Sequence, residues 1–225
     1  MFPKHFSDLN IIQLLINTML LVLLSCCVLI SLAFVSNYGN RVSKSKLLEL
    51  LTTFSVSGYA IPGIILAVAF ITFVSWFDKN VSTFFGIGSI KSIFIGSILG
   101  LVLVYFVRFY SLASNGIKSG YLKINYSIDE SAYLLGYSKF KTFTNIHMPY
   151  LKNSVFLIGI LIAIEIIKEL PITLIMRPFN FETFATTAYI FASQDLLEAA
   201  AAPSLFLIII ASFFILITSR YILKD

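Results

Sequence analysis

Five long apolar stretches constrain the fold of this chain more than any other feature. They cover residues 12–35, 54–77, 93–114, 155–175 and 203–223. Each is long enough to cross a hydrocarbon core of ~30 Å as a helix, which takes ~20 residues. The stretches are unbroken, whereas the strands of a membrane barrel alternate apolar and polar residues. We therefore predict an all-α membrane protein with about five transmembrane helices, in a single domain over residues 1–225.

The composition excludes the other broad classes of protein. Hydrophobic residues make up 58% of the chain and charged residues 12%, against ~45–50% and ~25% in soluble domains. Disordered chains are poor in apolar residues, so disorder is excluded as well. The basic residues behind the net charge of +5 are scattered between the apolar stretches. This distribution indicates membrane topology rather than nucleic-acid binding, and we expect lipid as a partner and no nucleic acid.

The distribution of Lys and Arg predicts the orientation in the membrane. Eleven basic residues, Arg108 among them, lie at or beyond the exit ends of the first, third and fifth stretches, against four on the opposite side. Positive charge accumulates on the cytoplasmic side. We therefore expect the loop of residues 115–152 and the C-terminus in the cytoplasm, and the N-terminus outside. The first stretch exceeds the ~7–15 residues of a signal-peptide core, so we expect a retained helix.

The cytoplasmic loop begins with signals for a short helix. Ser127 and Glu130 are three residues apart, the spacing of a capping box. Asp129 adds negative charge to the first turn, where the helix dipole favours it. Gly136 follows, and glycine readily takes the left-handed conformation that ends a helix. The sequence predicts a helix that ends at Gly136.

A second short helix is expected after this glycine, capped by Ser138 and limited by Pro149. The result is a helix–Gly–helix that projects from the membrane. Its apolar side chains either need a partner surface or pack on the chain's own spans, and both alternatives are open. These side chains are Tyr133, Leu134, Phe140, Phe143 and Ile146.

Part of this loop matches a spaced pattern, E-x-A-x3-G-x9-I-x-[LM]-P. The matching residues are Glu130, Ala132, Gly136, Ile146, Met148 and Pro149. The pattern resembles the "EAA" motif of the inner-membrane permeases of binding-protein-dependent ABC importers. Ser131 stands where the motif usually has Ala, and Met148 where it usually has Leu. The resemblance implies a type I permease fold and a loop that couples the spans to an ATP-binding subunit.

Two further segments resemble the ferric-iron branch of these permeases, in its C-terminal half. They are Ser57–Gly63, which reads SGYAIPG, and Lys168–Ala185, which contains KELP and RPFNFET. The thiamine and phosphonate permeases are less similar and stay as alternatives. The resemblance implies a bacterial inner-membrane protein that moves ferric iron delivered by a solute-binding protein. A non-transporting fragment or scaffold subunit is the alternative from another class.

The resemblance also implies partners. Full iron permeases have two homologous halves, so a second half is expected from a separate chain or from a second copy in a homodimer. The chain has no P-loop pattern, G-x-x-x-x-G-K-[ST]. ATP hydrolysis is therefore expected on a separate ATP-binding cassette subunit, with no enzyme activity and no cofactor in this chain. An intramembrane enzyme is disfavoured, because H-E-x-x-H and G-x-S-x-G are both absent from the sequence.

Two groups of residues are candidates for the translocation path or its gate. Pro62 and Gly63 predict a kink in the cytoplasmic third of the second span. Glu165, Lys168 and Glu169 are predicted on one face of the fourth span, because residues three and four apart are neighbours on a helix. Ionisable groups at this depth face the bundle interior or a wet cavity. The alternatives are a packing kink and a self-neutralising pair, and no metal site is predicted.

Overall fold

The computed structural model describes residues 10–43, 45–85 and 93–222, which form helices joined by turns. Five helices in this part of the chain are long and apolar enough to cross a membrane, which confirms the predicted fold class. A continuous run from Lys139 to Ile167 is one of them. The helices are α1 Ile11–Ser43, α2 Lys46–Val56, α3 Gly63–Phe85, α4 Ile98–Tyr121, α5 Tyr126–Leu134, α6 Lys139–Thr142, α7 Met148–Ile167, α8 Pro171–Met176, α9 Phe184–Ser193 and α10 Leu197–Ile222.

The core lies where α1, α4 and α7 pack together. Leu21 and Leu29 of α1, Tyr105 and Ile117 of α4, and Ile162 of α7 are fully buried there. Half of the apolar window of α4 is buried, against 17% in both α3 and α10. These two peripheral helices therefore leave long apolar faces for lipid or another subunit.

Two glycines bring α4 and α7 close together. Gly116 and Gly120 are four residues apart, so they lie on one face of α4. A Cβ added to Gly116 would lie 2.5 Å from the side chain of Ile158, and one added to Gly120 would lie 2.7 Å from that of Leu151. Small residues at this spacing let membrane helices approach closely.

We expect Gly116→Ala to force α4 and α7 apart and to lower the free energy of unfolding by about 1–3 kcal/mol, as overpacking does. The measurement is an SDS titration in mixed micelles. Gly159→Ala in α7 is the matched control, because its added Cβ would meet nothing nearer than 3.5 Å. Equal effects of the two substitutions would contradict the close contact.

The predicted second span is divided by a break rather than bent by a kink. A 3-10 turn, Ser57–Ala60, follows α2, and α3 begins only at Gly63. Pro62 directly precedes α3. The proline has no N–H to donate, and it biases Ile61 toward the extended conformation that the structure shows, so the helix cannot continue through this point. The break ends at the predicted residues, Pro62 and Gly63, and Gly58 within it lies against the backbone of Val107 near the middle of α4.

The predicted end of the second loop helix at Pro149 is wrong. The chain stays helical from α6 through a π turn, Phe143–His147, into α7. The N–H of Met148 donates to the carbonyl of Phe143, five residues back. This wider turn accommodates the proline, which has no N–H to donate.

The predicted fourth span, residues 155–175, is also interrupted. Helix α7 ends at Ile167 because Pro171, four residues later, cannot donate to its carbonyl. Helix α8 starts at Pro171. The third span is shifted as well, since α4 begins at Ile98 and continues to Tyr121, beyond the predicted 93–114.

Candidate functional site

The cap of the first loop helix lies two residues earlier than predicted. Asn125 has an extended backbone, and its side chain accepts a hydrogen bond from the N–H of Ser127 at 3.2 Å. Ser127 lies inside α5, and the predicted capping box from Ser127 to Glu130 is wrong. Asparagine at least equals serine as an N-cap, so Asn125 takes the role.

The turn after α5 has the predicted left-handed glycine. Gly136 has φ +82°. Its N–H donates to the carbonyl of Tyr133, and the N–H of Tyr137 donates to that of Ala132, both at 3.0 Å. These two bonds form a Schellman motif. Ser138 then caps α6 as predicted, so the helix–Gly–helix is confirmed as a structure.

The apolar side chains of the loop divide between the two alternatives left open by the sequence. Leu134 is 89% exposed and Phe140 75%, and neither is covered by the chain's own helices. Phe143 instead packs on α1, with ring centroids 5.8 Å from Phe34 and 4.8 Å from Tyr38. The tip of the loop is therefore an exposed apolar surface, while its base is joined to the spans.

A groove of about 330 Å³ runs between α5 and the π turn, and two residues of the spaced pattern, Ala132 and Ile146, line it. Glu130, Met148 and Pro149 are exposed outside it. The groove residues are Ser127, Ile128, Ser131, Ala132, Leu135, Tyr137 and Ile146. The loop thus combines an exposed tip with a concave surface beside it.

A second candidate site forms where the two helix breaks meet α4. Arg108, in the middle of α4, donates from Nη1 to the carbonyl of Ile61 at 2.7 Å. Its Nε lies 3.5 Å from Oε2 of Glu169, at the other break. The side chain of Arg108 therefore bridges the α2–α3 break and the α7–α8 break.

Glu169 is held on several sides. It is 8% exposed, and its Oε1 accepts a hydrogen bond from the N–H of Ile172 at 3.3 Å. The hydroxyl of Thr173 donates to the carbonyl of Glu169 at 2.7 Å and also bonds to the hydroxyl of Tyr105. A Cβ on Gly63 would lie 3.0 Å from Oε1. Two residues that the sequence predicts separately, Gly63 and Glu169, thus lie in one site beside Pro62.

The structure separates the three predicted ionisable residues of the fourth span. Lys168 pairs with Glu165 at 2.7 Å, and its side chain is 54% exposed. Glu169 pairs instead with Arg108. The predicted self-neutralising pair exists within one helix, while the buried carboxylate connects different helices.

Arg108 is the residue that the sequence analysis missed as part of a site. The charge comparison that predicts the orientation includes Arg108 among the basic residues that flank the membrane, but the structure places Arg108 in the middle of α4. Removing it from that count leaves ten basic residues against four. Its position inside the predicted span 93–114 was the available signal, since charges within a span are rare and usually paired.

Together, the fold and these sites define a multi-pass all-α membrane protein with a projecting helix–Gly–helix and two broken helices. No protein-family profile and no curated protein sequence matches the chain.

Two solved structures are similar in fold. One is a bacterial alginate ABC transporter in complex with a periplasmic protein bound to an alginate pentasaccharide. The other is a bacterial ABC transporter involved in the import of the acidic polysaccharide alginate. Each matches with a TM-score of 0.73 and 18% identity, over 96% of this chain and 81% and 82% of theirs. This chain has the fold of a chain of those transporters.

Proposed function

We propose that the chain is the permease subunit of an ATP-driven ABC importer, with residues 115–152 as its cytoplasmic coupling loop. The helix–Gly–helix carries the proposal, since its spaced pattern lies on a projecting element with an uncovered apolar tip. The shared fold with chains of two ABC transporters supports it.

The loop is suited to contact with an ATP-binding subunit. Leu134 and Phe140 supply apolar anchors, and Glu130 supplies an exposed charge next to the groove. A pair of short helices with a fixed turn can transmit a rigid-body movement to the helices behind it.

The two helix breaks are proposed to line the translocation path or form its gate. Non-helical backbone at membrane depth is tolerated where it is buried in protein or lines a wet cavity. Discontinuous helices of this kind form the sites of many transporters. Pro62, Gly63, Lys168 and Glu169 lie at these breaks, while Glu165 lies in the last turn of α7.

The remaining partners follow from the exposed surfaces. The apolar faces of α3 and α10 are proposed to contact lipid and a second permease half, which is either another chain or a second copy. A solute-binding protein outside the cell would deliver the substrate. The cytoplasmic location of residues 115–152 and of the C-terminus remains the prediction from the charge count.

Ferric iron is the proposed substrate, with thiamine or a phosphonate as the alternatives. The KELP and RPFNFET segments support iron through their resemblance to that branch of permeases. In the structure, KELP forms the α7–α8 break, so this segment includes Glu169 of the candidate gate. The substrate would be held mainly by the binding protein and would pass the permease without a permanent metal site.

The test is affinity purification of the tagged chain from membranes, with identification of every protein that co-purifies. An ATP-binding subunit and a second permease half are the expected result. Uptake of radiolabelled ferric iron by vesicles holding the complex, compared with labelled thiamine, then tests the substrate. Recovery of the chain without any ATP-binding subunit would favour a fragment or scaffold and overturn the proposal.

A further inference from the structure

A buried ionic cluster joins the coupling loop to two of the spans. Both oxygens of the Asp129 carboxylate, on α5, are used in it. Oδ2 accepts from Nε of Arg41, on α1, at 2.6 Å. Oδ1 accepts from Nε2 of His147, in the π turn before α7, at 2.7 Å. The side chains of Arg41, Asp129 and His147 are 7%, 11% and 0% exposed.

Arg41 also binds the backbone at the base of the loop. Its Nη2 donates to the carbonyls of Ile124 at 2.9 Å and Asn125 at 3.1 Å. Its guanidinium lies 4.3 Å from the ring centroid of Tyr126, within cation–π range. One side chain of α1 therefore holds both the connection after α4 and the cap of α5. Arginine suits this role because its fork carries five donors in a fixed plane.

His147 is enclosed from both sides. The ring of Tyr38, from α1, lies 5.3 Å away and that of Tyr121, from α4, lies 5.4 Å away. A histidine fully buried between two rings and bonded to a carboxylate has little freedom to turn. The cluster therefore restrains α1, α5 and the start of α7 relative to one another.

This cluster fixes the base of the coupling loop, whereas the tip of the loop is exposed. Leu134 and Phe140 are exposed, whereas Asp129, on the same short helix as Leu134, is fixed to α1 and the π turn. A push on the tip reaches α7 directly through α6 and the π turn, and it reaches α1 through the base of α5. Hydrogen-bonded charges in a buried site hold this base far more rigidly than apolar contacts alone, because their geometry is directional.

We infer that Arg41, Asp129 and His147 form a rigid junction that makes the coupling loop, α1 and α7 move as one body. The three are positioning residues that contact neither nucleotide nor substrate. The inference rests on the proposed function and adds the path by which loop movement enters the membrane helices. It also places the relative movement elsewhere, at the α2–α3 and α7–α8 breaks.

The test uses the complex recovered with the tagged chain, reconstituted in liposomes. The readout is the ratio of ATP hydrolysis stimulated by the ferric-loaded binding protein to basal hydrolysis, per assembled complex. We expect Asp129→Asn to lower this ratio about fivefold, a size typical of mutations along a coupling network, with basal hydrolysis unchanged. Glu49→Gln, at an exposed carboxylate of α2, is the control and should leave the ratio unchanged.

A merely structural role would reduce the amount of complex and leave the ratio per complex unchanged, and that result would overturn the inference. A second pair of variants covers the case in which Asp129→Asn fails to assemble. His147→Gln keeps an N–H donor for Asp129 and should retain most of the stimulation, whereas His147→Leu has no donor and should lose it. Equal ratios for these two would also overturn the junction. A wild-type complex without stimulation would instead contradict the proposed function itself.

Discussion

Gly136→Val is expected to reduce ATP-driven uptake at least about tenfold, while the chain still inserts and assembles. Gly136 has φ +82°, and a β-branched side chain in the left-handed region costs about 1–3 kcal/mol. The backbone strain is most easily relieved by a rotation of the turn, which changes the angle between α5 and α6. The loop would then contact the ATP-binding subunit in the wrong orientation. The measurement is uptake in vesicles together with ATP hydrolysis.

Two variants control for backbone strain. Gly96 also has positive φ, +68°, and a Cβ there meets nothing within 4 Å, as at Gly136. Gly96→Val imposes similar strain outside the loop and should leave uptake per assembled complex near wild type. Gly136→Asn should keep most of the uptake, because asparagine tolerates the left-handed conformation. Full uptake by Gly136→Val, or equal losses for Gly96→Val and Gly136→Val, would reject the coupling role.

Neutralising Arg108 is expected to lower the free energy of unfolding by about 3–5 kcal/mol, the cost of leaving the buried charge of Glu169 unpaired. Neutralising Glu169 should cost less, because the side chain of Arg108 is 21% exposed. Substrate uptake should also fall in both Arg108→Gln and Glu169→Gln. The double variant Arg108→Gln/Glu169→Gln should regain most of the stability, because no charge is left unpaired. It should not regain uptake if the pair acts as a gate. The measurements are SDS titration in mixed micelles and uptake per assembled complex.

Recovery of both stability and uptake in the double variant would mean that the pair only holds the helices together. Glu165→Gln completes the comparison, because Glu165 pairs with the half-exposed Lys168 on the same helix. Its loss should cost at most about 0.5 kcal/mol of stability. Abolished uptake in Glu165→Gln would place this face on the path as well, whereas normal uptake would restrict the gate to Arg108 and Glu169.

The sequence predicted those features of the structure that depend on residues close together in the chain. The membrane helices follow from the length of apolar stretches, and Gly136 ends α5 because glycine alone takes that backbone conformation without cost.

The sequence predictions were wrong where two nearby residues compete for one role, or where a residue far away in the chain determines the structure. Asn125 and Ser127 could each cap α5, and hydropathy does not show that α4 continues through the polar residues after 114. The π turn before Pro149 has no simple sequence signature. The pair of Arg108 and Glu169 joins residues 61 positions apart, and only tertiary packing shows that two helix breaks meet at one arginine.

The ionic junction also imposes an order on the biogenesis of this protein. Arg41 leaves the ribosome 106 residues before His147, which takes about 5–20 s at ordinary translation speeds. For the first 83 of these residues the guanidinium at the end of α1 has neither Asp129 nor the carbonyls before α5, and water must solvate it. The junction at the base of the loop can be completed only after His147, the residue before α7, has been synthesised. Under the proposed function, an ATP-binding subunit would meet a complete loop base only from that point of synthesis on.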